Sequence, residues 1–480
     1  MAGFHIEHFG CRAARADGEA MAGNLRALHA REPLAADVVI VNTCSVTAEA
    51  DRAARAFIRR AHRKNPAAKI VVTGCYAQRA SEELAAMAGV TAVVGNSHRA
   101  LVPEIILGLT RGEELTYGAE RMTSAASPVP ICERPGAPAV VPVASLLAPG
   151  GSSAPIWADD RFAHSFIEDV HWGEMQHGAG AQTRPNLKIQ EGCGNRCTFC
   201  VIPFTRGPSQ SLPHAVVMRQ VEGFVAAGGK ELVLSGINLG RWGRDLEPSR
   251  ESFAGLVREI LEETELLRLR LSSIEPMDWD DALIAQMREF GGGRLARHAH
   301  LPLQSGSDAV LRRMHRRYRP WHYAEKVRAL VDAAGPDLTL GADVMVGFPG
   351  ETDSEFEETL AFIRALPFGY LHLFPFSARP GTALHAAAKL APAVMAERMA
   401  ALRALAAEKS ESHRRRFVGR ALDVITLHTP AALAERGCTT ALTENFIPVE
   451  LKGHLSANQL VRVQITGLSD ESALQATALS

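Results

Sequence analysis

Short apolar runs and amphipathic stretches take turns through the first hundred positions. The runs Phe4 to Phe9, Val38 to Val41, Ile70 to Thr73 and Thr91 to Val94 have the length of buried strands. Between them, Asp17 to Ala30, Ala48 to Lys64 and Glu82 to Ala88, the last with Ser81 as its cap, place apolar residues at helical spacing. Strand and helix in alternation predict an α/β fold with a mostly parallel sheet. From 122 to 184 the chain turns to Ala, Pro, Ser and Gly with weak periodicity, which reads as a linker or large loop.

A second alternating region follows. Leu187 to Gln190, Glu231 to Leu234, Leu267 to Ser273, His298 to Leu303, Leu338 to Val346 and Tyr370 to Phe376 read as strands, with helical patterns between them. A spacing of roughly 30–40 residues is that of a βα unit. Six units fall short of the eight, and ~250 residues, of a closed barrel, so the reading is an open (βα)6 partial TIM barrel. The 393–416 stretch is rich in Ala, Arg and Glu and reads as helix. Short β-type runs at Asp423 to Leu427, Phe446 to Leu451 and Leu460 to Thr466 leave no room for crossover helices and describe a small antiparallel β-barrel. The boundaries drawn are 1–120, a linker 121–184, a central domain 185–412 and a terminal domain 413–480.

With 480 residues the chain is too long for one core, since single domains cluster near roughly 100–200 residues. Lys+Arg 52 against Asp+Glu 53 excludes a uniformly basic coat or an acidic tail and leaves room for local patches. Three patches stand out: seven arginines against Asp308 in Gly291 to Pro320, six basic residues against Asp51 in Asp51 to Lys64, and six against two acids in Arg403 to Arg420. Such patches neutralise RNA phosphates, and Arg414 to Arg416 beside a small β-barrel is the expected grip. The uncharged run Pro135 to Ala158 holds five prolines, which no membrane helix would survive. Neither that run nor the start of the chain suggests a membrane or secretory segment. Eight cysteines are too few for a disulfide scaffold, so reduced thiols and a cytoplasmic location are expected.

The cysteines carry the chemistry. Cys193, Cys197 and Cys200 share one loop directly after the first strand of the barrel-like region. Three thiolates so spaced bind three irons of a cubane cluster and leave the fourth without a protein ligand, where S-adenosylmethionine (SAM) can chelate and be cleaved to a radical. A zinc knuckle is the alternative, with His214 the nearest fourth ligand. Cys11, Cys44 and Cys75 each follow a parallel strand, and loops at the carboxyl ends of such strands converge. They make a second three-cysteine site, against the alternative of three inert core thiols. Cys132 and Cys438 have no partners at ligand spacing. Gly236, Asn238, Ser272, Glu275, Gln304 and Asp343 lie at or after barrel strand ends, the catalytic rim, where SAM contact competes with plain turn chemistry.

Both triads, with Val39-Ile-Val-Asn-Thr-Cys44-Ser-Val-Thr, Val72-Thr-Gly-Cys75-Tyr-Ala-Gln and Cys193-Gly-Asn-Arg-Cys197-Thr-Phe-Cys200-Val-Ile-Pro-Phe-Thr-Arg206-Gly, resemble the radical SAM methylthiotransferases. Leu234-Ser-Gly-Ile-Asn-Leu-Gly240, His300-Leu-Pro-Leu-Gln-Ser-Gly306 and Asp343-Val-Met-Val-Gly-Phe-Pro-Gly-Glu351 continue the likeness, and Thr443-Glu-Asn-Phe446 is similar to a TRAM domain. Within the family the MtaB branch is nearest. Ala14 and Gln210 depart from its pattern, which usually has Asn and Arg there.

The resemblance implies two 4Fe-4S clusters, with radical generation at Cys193, Cys197 and Cys200 and sulfur delivery at Cys11, Cys44 and Cys75. It implies Phe199 against the adenine of SAM, a tRNA anticodon loop as partner, a reductant such as flavodoxin or ferredoxin, and methylthiolation of N6-threonylcarbamoyladenosine. Isopentenylated adenosine, a ribosomal-protein aspartate, and a non-catalytic metal-containing RNA-binding protein stay open as alternatives.

Overall fold

A computed structural model describes residues 3–27, 37–111, 154–159, 162, 167, 170, 172, 183–246, 252–469 and 473–479. The N-terminal sheet is parallel throughout, in the order β1 (Phe4–His8), β2 (Val38–Thr43), β3 (Lys69–Gly74), β4 (Val90–Gly95) and β5 (Ile156–Trp157). β5 corrects the sequence reading, for it lies within the stretch taken as linker. Two residues are too few to show a period, yet Trp157 is buried in the core of this sheet. Cys132 and most of that stretch lie outside the described residues.

Helices α1 (Arg12–Ala27) and α2 (Ala48–Lys64) follow β1 and β2. α1 starts five residues before Asp17, because Ala13, Ala14 and Ala16 are buried and small side chains give little pattern. After β3 come α3 (Cys75–Arg79) and α4 (Ser81–Ala85); Ser81 is the first helical residue and Ala80 the cap, with no side-chain bond there. α5 (Val102–Arg111) escaped the sequence reading. Its Pro103 reads as a breaker, although the first helical turn tolerates proline.

The central domain has six parallel strands: β6 (Asn186–Glu191), then β8 (Glu231–Gly236) beyond the short β7 (Gln210–Ser211), β9 (Arg268–Leu271), β10 (His298–His300), β11 (Thr339–Val346) and β12 (Phe368–Pro375). β7-β6-β8-β9, with β7 antiparallel on the carboxyl end of β6, and β10-β11-β12 form two sheets, which the parallel bridges Leu269↔Leu295 and Ser273↔His300 join. Six strands in chain order with unjoined ends are the expected open barrel. Helices α6 (Ile202–Arg206), α7 (His214–Ala226), α8 (Phe253–Glu263), α9 (Asp281–Phe290), α10 (Asp308–Arg313), α11 (Pro320–Ala334) and α12 (Asp353–Ala365) connect the strands, and α13 (Pro392–Arg415) packs on the free edge at β12.

The N-terminal domain spans the barrel's two edges. At β6, Glu19 of α1 accepts a hydrogen bond from the Asn186 backbone N–H at 3.0 Å. Beyond β12, Arg379 donates to the buried Asp51 carboxylate at the start of α2, and Ser377 Oγ accepts from Ala48 N–H at 3.0 Å.

The terminal domain is a closed barrel in the order β13 (Ala421–Thr426), β14 (Cys438–Thr443), β15 (Pro448–Lys452), β17 (Leu474–Ala478), β16 (Leu460–Leu468). Its β15–β17 pair is parallel, so the expected antiparallel barrel needs that one amendment. The turn after β14 plugs the floor of the central barrel: Phe446, at φ 71°, packs on His298 and Tyr370 and under the Arg270 guanidinium. Arg270 donates to the Thr443 and Glu444 carbonyls at 3.3 and 2.9 Å.

This docking redraws the basic patches. Arg294 is spent on the carbonyls of Leu261, Thr264 and Leu266, and Arg297 on Glu444. Arg416 caps the Pro336 carbonyl and Arg420 pairs with Asp337 at 2.6 Å, while Arg415 pairs with Glu411. By contrast Arg59, Arg63 and Lys64 on α2 are exposed and make no ion pair among the described residues.

Removing the Glu444 carboxylate leaves the Arg297 backbone N–H and Nε without their acceptor at the domain junction, and the guanidinium with only Asp337 at 3.5 Å. Glu444→Ala is expected to cost about 1–3 kcal/mol, moderated because Arg297 keeps access to water. A lowered denaturant midpoint, with the terminal barrel unfolding ahead of the rest, is the expected result.

Candidate active site

Each cysteine of the first triad sits where its strand ends. Gly10, at φ 112°, allows the close turn after β1, for a Cβ there would lie 2.6 Å from Cys44 Sγ. Gly74, at φ 97°, does the same before Cys75, where a Cβ would lie 2.3 Å from the Thr43 carbonyl. Burial pushes the Cys44 thiol up to about 12, and the neighbouring Cys11 and Cys75 add to the rise. The three sulfurs are therefore close enough to sense one another's charge.

The second triad hangs from the end of β6. Its loop is pinned by Cys193 N–H to the Gly207 carbonyl at 3.1 Å and by Thr198, whose N–H and hydroxyl donate to the Met314 and Arg313 carbonyls at 3.3 and 3.0 Å. Those carbonyls belong to the end of α10, where helix carbonyls lack intrahelical partners. Cys193 Sγ accepts from Asn195 N–H at 3.4 Å and lies 3.7 Å from Asn238 Nδ2; Cys197 Sγ accepts from Arg316 at 3.5 Å. Burial pushes the Cys200 thiol up to about 12, and again the two neighbouring thiols contribute.

Between the triads lies a buried charge cluster. Arg206 of α6 donates through Nε to Cys75 Sγ at 3.2 Å, through Nη1 to both Glu191 oxygens at 2.9 and 3.1 Å, and through Nη2 to Asp17 at 3.0 Å. Arg99 reaches Glu191 at 3.1 Å and Asp17 at 3.4 Å, while Lys188 bridges Glu191 at 2.6 Å and Asp17. Burial alone would raise both carboxyls, but Arg99, Lys188 and Arg206 reverse the effect and hold them below the usual carboxylate range. Three cations face two carboxylates, an excess of one positive charge directed at Cys75. A second donor, Asn96 Nδ2, meets the same sulfur at 3.4 Å.

The sequence reading missed this cluster except for Arg206 within its motif. Lys188 and Glu191 carried a usable signal, since two charges in a wholly buried strand demand partners. Gln190 was missed as well; its side chain donates to the Glu191 and Gly192 carbonyls and accepts from Asn238 N–H at 2.6 Å.

Residues expected at the rim divide into two groups. Asn238 Oδ1, Ser272 Oγ and Gln304 Oε1 are buried with no hydrogen-bond partner among the described residues, and Gln304 holds a left-handed φ of 65°. Unpaired buried polar atoms are costly, and their collection at the barrel mouth fits a polar ligand. Gly236 leaves room there, since a Cβ would stand 3.0 Å from Gln190. Glu275 is engaged by Arg316 at 2.5 Å, and Asp343 lies between His300 at 3.2 Å and His372 at 3.3 Å. Phe199 is half-buried against the barrel core. His214 is taken up by Glu259 at 2.8 Å, which leaves the zinc knuckle without its fourth ligand, and Cys438 lies in β14 of the terminal barrel.

The thiols fit a metal better than a free nucleophile. Burial disfavours the ionised form of Cys44, Cys193 and Cys200, and iron at these sites would supply the compensating charge. Three sulfur donors on each side, backed by Arg206 on one and Arg316 on the other, are a donor set for two iron–sulfur clusters.

Known proteins resemble this chain in two blocks. Residues 3–95 match the family described as "Uncharacterized protein family UPF0004", and residues 187–363 match the Radical SAM superfamily. The chain is 34% identical to the threonylcarbamoyladenosine tRNA methylthiotransferase MtaB of Bacillus subtilis (strain 168), over 87% of this chain and 82% of that one. It is 33% identical to a tRNA-2-methylthio-N(6)-dimethylallyladenosine synthase of Sphingopyxis alaskensis, over 87% and 85%. Among solved structures, the radical S-adenosylmethionine methyltransferase TsrM from Kitasatospora setae is similar at a TM-score of 0.47 and 17% identity, covering 73% of this chain and 64% of that one.

Two substitutions separate the roles in the charge cluster. Glu191→Gln leaves three buried cations against one carboxylate and is expected to cost about 3–5 kcal/mol. Arg206→Met leaves two cations against two carboxylates, so a smaller loss of stability is expected, together with weakened iron retention at Cys11, Cys44 and Cys75. Denaturation of the metal-free chain and iron analysis of the reconstituted one measure the two effects.

Proposed function

Because the chain belongs to the radical SAM methylthiotransferase family, we propose that it adds a methylthio group to C-2 of N6-threonylcarbamoyladenosine next to the tRNA anticodon. Two cysteine triads joined through Arg206 carry this reading. In it, Cys193, Cys197 and Cys200 hold one 4Fe-4S cluster and Cys11, Cys44 and Cys75 the other. Together with SAM, these groups supply a deoxyadenosyl radical, a sulfur source and a methyl group when bound.

The chain's own residues bind and orient. Asn238, Ser272 and Gln304 offer unpaired polar atoms to the amino acid and ribose parts of SAM, Gly236 keeps the approach open, and Phe199 offers its face to adenine. Glu275 holds Arg316 against Cys197, so it acts through that arginine. Asp343 fixes the rings of His300 and His372 on the strands that enclose the site. Phe446 and the terminal barrel close the floor, which leaves the rim as the entrance for a base flipped from its stack.

Exposed basic residues on α2 and the terminal barrel grip the anticodon arm in this reading. A one-electron donor such as flavodoxin or ferredoxin completes the reaction, and the cytoplasm is its setting. No helix among the described residues is long and apolar enough to cross a membrane.

Mass spectrometry of tRNA nucleosides from a strain lacking the gene decides the acceptor. Loss of the methylthio form of threonylcarbamoyladenosine is the expected result; loss of the dimethylallyl form instead would reassign the substrate. Anaerobic reconstitution is expected to give about eight irons per chain. Replacing Cys193, Cys197 and Cys200 by Ala is expected to remove about half of the iron and all SAM cleavage. Replacing Cys11, Cys44 and Cys75 is expected to remove the other half, leaving SAM cleavage and abolishing the methylthio product. For RNA, Arg59→Glu with Arg63→Glu on α2 is expected to weaken tRNA binding and flatten its salt dependence.

A further inference from the structure

We infer that the cleft beside Cys197, flanked by Arg196, His315 and Arg317, is the docking surface for a small acidic electron carrier. The inference rests on the proposed function, which requires an electron at the second triad. Of that triad, Cys197 lines the cleft, together with Asn195 and with Glu275 and Asp278, whose carboxylates are taken up by Arg316 and by Arg241 and Arg244. All three thiols of the triad are half-buried, Cys193 against Asn195 and Asn238 and Cys197 against Arg316. Cys197 is thus the sulfur of the triad that meets this cleft.

Local backbone geometry places the charges. α10 ends in a paired bond pattern, with His315 N–H to the Arg312 carbonyl at 3.0 Å and Arg316 N–H to the Leu311 carbonyl at 2.9 Å. This is a Schellman closure, whose left-handed position usually falls to glycine. Here His315 takes it at φ 56°, a conformation unfavourable for a residue with a Cβ. The reversal turns Arg316 inward, to Cys197 and Glu275, and leaves His315 and Arg317 exposed. Arg196 is also exposed, and neither it nor Arg317 makes a hydrogen bond or ion pair among the described residues. Every other arginine of the Gly291 to Pro320 patch is paired or bonded to carbonyls.

Two unpaired guanidinium groups at the nearest approach to the cluster suit an acidic partner, because opposite charge steers encounter and sets orientation. Proximity to Cys197 matters for electron entry and gives no advantage to a phosphate grip, for which α2 offers a longer basic face. In the step itself the carrier's reduced flavin or iron–sulfur centre loses one electron and the cluster held by Cys193, Cys197 and Cys200 gains it; no bond forms or breaks.

The test uses the reconstituted full-length protein, flavodoxin as the probe, and the double variant Arg196→Glu/Arg317→Glu, with Arg196→Gln/Arg317→Gln as its milder form. Wild-type protein is expected to bind flavodoxin with an affinity that falls as salt rises, and the Glu variant to bind roughly tenfold more weakly at low salt. Unchanged tRNA affinity and unchanged dithionite-driven deoxyadenosine formation are expected in both variants. Equal flavodoxin affinity in wild type and the Glu variant would overturn the assignment. So would loss of tRNA binding with flavodoxin binding intact, which would give the face to RNA. Failure of dithionite-driven SAM cleavage in the wild type would instead strike the proposed function, while the binding measurement would still decide the surface.

Discussion

Five buried charges at one junction hold the architecture in place. Asp17 comes from the N-terminal domain's first helix, Arg99 from the turn after its fourth strand, Lys188 and Glu191 from the first barrel strand, and Arg206 from the helix after the cysteine loop. Taking such groups from water is expensive, and the expense is recovered only when every partner is in place. The two domains are therefore held in one relative position, since any sliding between them separates charges that have no water to replace their partners. That position sets Cys75 against Arg206, six residues beyond Cys200. An excess positive charge at the end of the network is matched by the anionic thiolate that iron binding requires.

The same reasoning explains the open barrel. Six strands leave two edges unjoined, and an exposed strand edge invites pairing with other chains. Here the N-terminal domain contacts both edges and α13 lies against β12, so the gap that an eight-stranded barrel closes with strands is covered by a second domain. Beneath, Phe446 and Glu444 of the terminal barrel fill the floor. One mouth remains, and the unpaired atoms of Asn238, Ser272 and Gln304 are found there. The domain proposed to grip RNA thus also seals the reaction chamber, and several of its arginines serve that second purpose.

Much of this was legible in the sequence because it rests on local signals. Six barrel strands, the helical 393–416 stretch and the cysteine loop announce themselves by period or spacing, and Cys11, Cys44 and Cys75 by their positions at strand ends. What escaped notice depends on partners distant in the chain. Arg294, Arg297 and Arg420 count as basic residues in a linear tally, yet their charges are consumed by carbonyls, Glu444 and Asp337 in the fold. β5 escaped because a two-residue strand has no period, and the parallel β15–β17 pair because strand direction is set by topology. Lys188 and Glu191 were the readable exception: a wholly buried strand carrying two charges points to a network before its members are known.

Electron paramagnetic resonance of the fully reduced, reconstituted protein tests whether both triads hold clusters facing one chamber across Arg206, as proposed. A spectrum broadened by magnetic interaction between two nearby clusters is expected, collapsing to a single simple signal when Cys11, Cys44 and Cys75 are replaced by Ala. Two independent signals that add without interaction, or one cluster per chain in the unaltered protein, would contradict this arrangement.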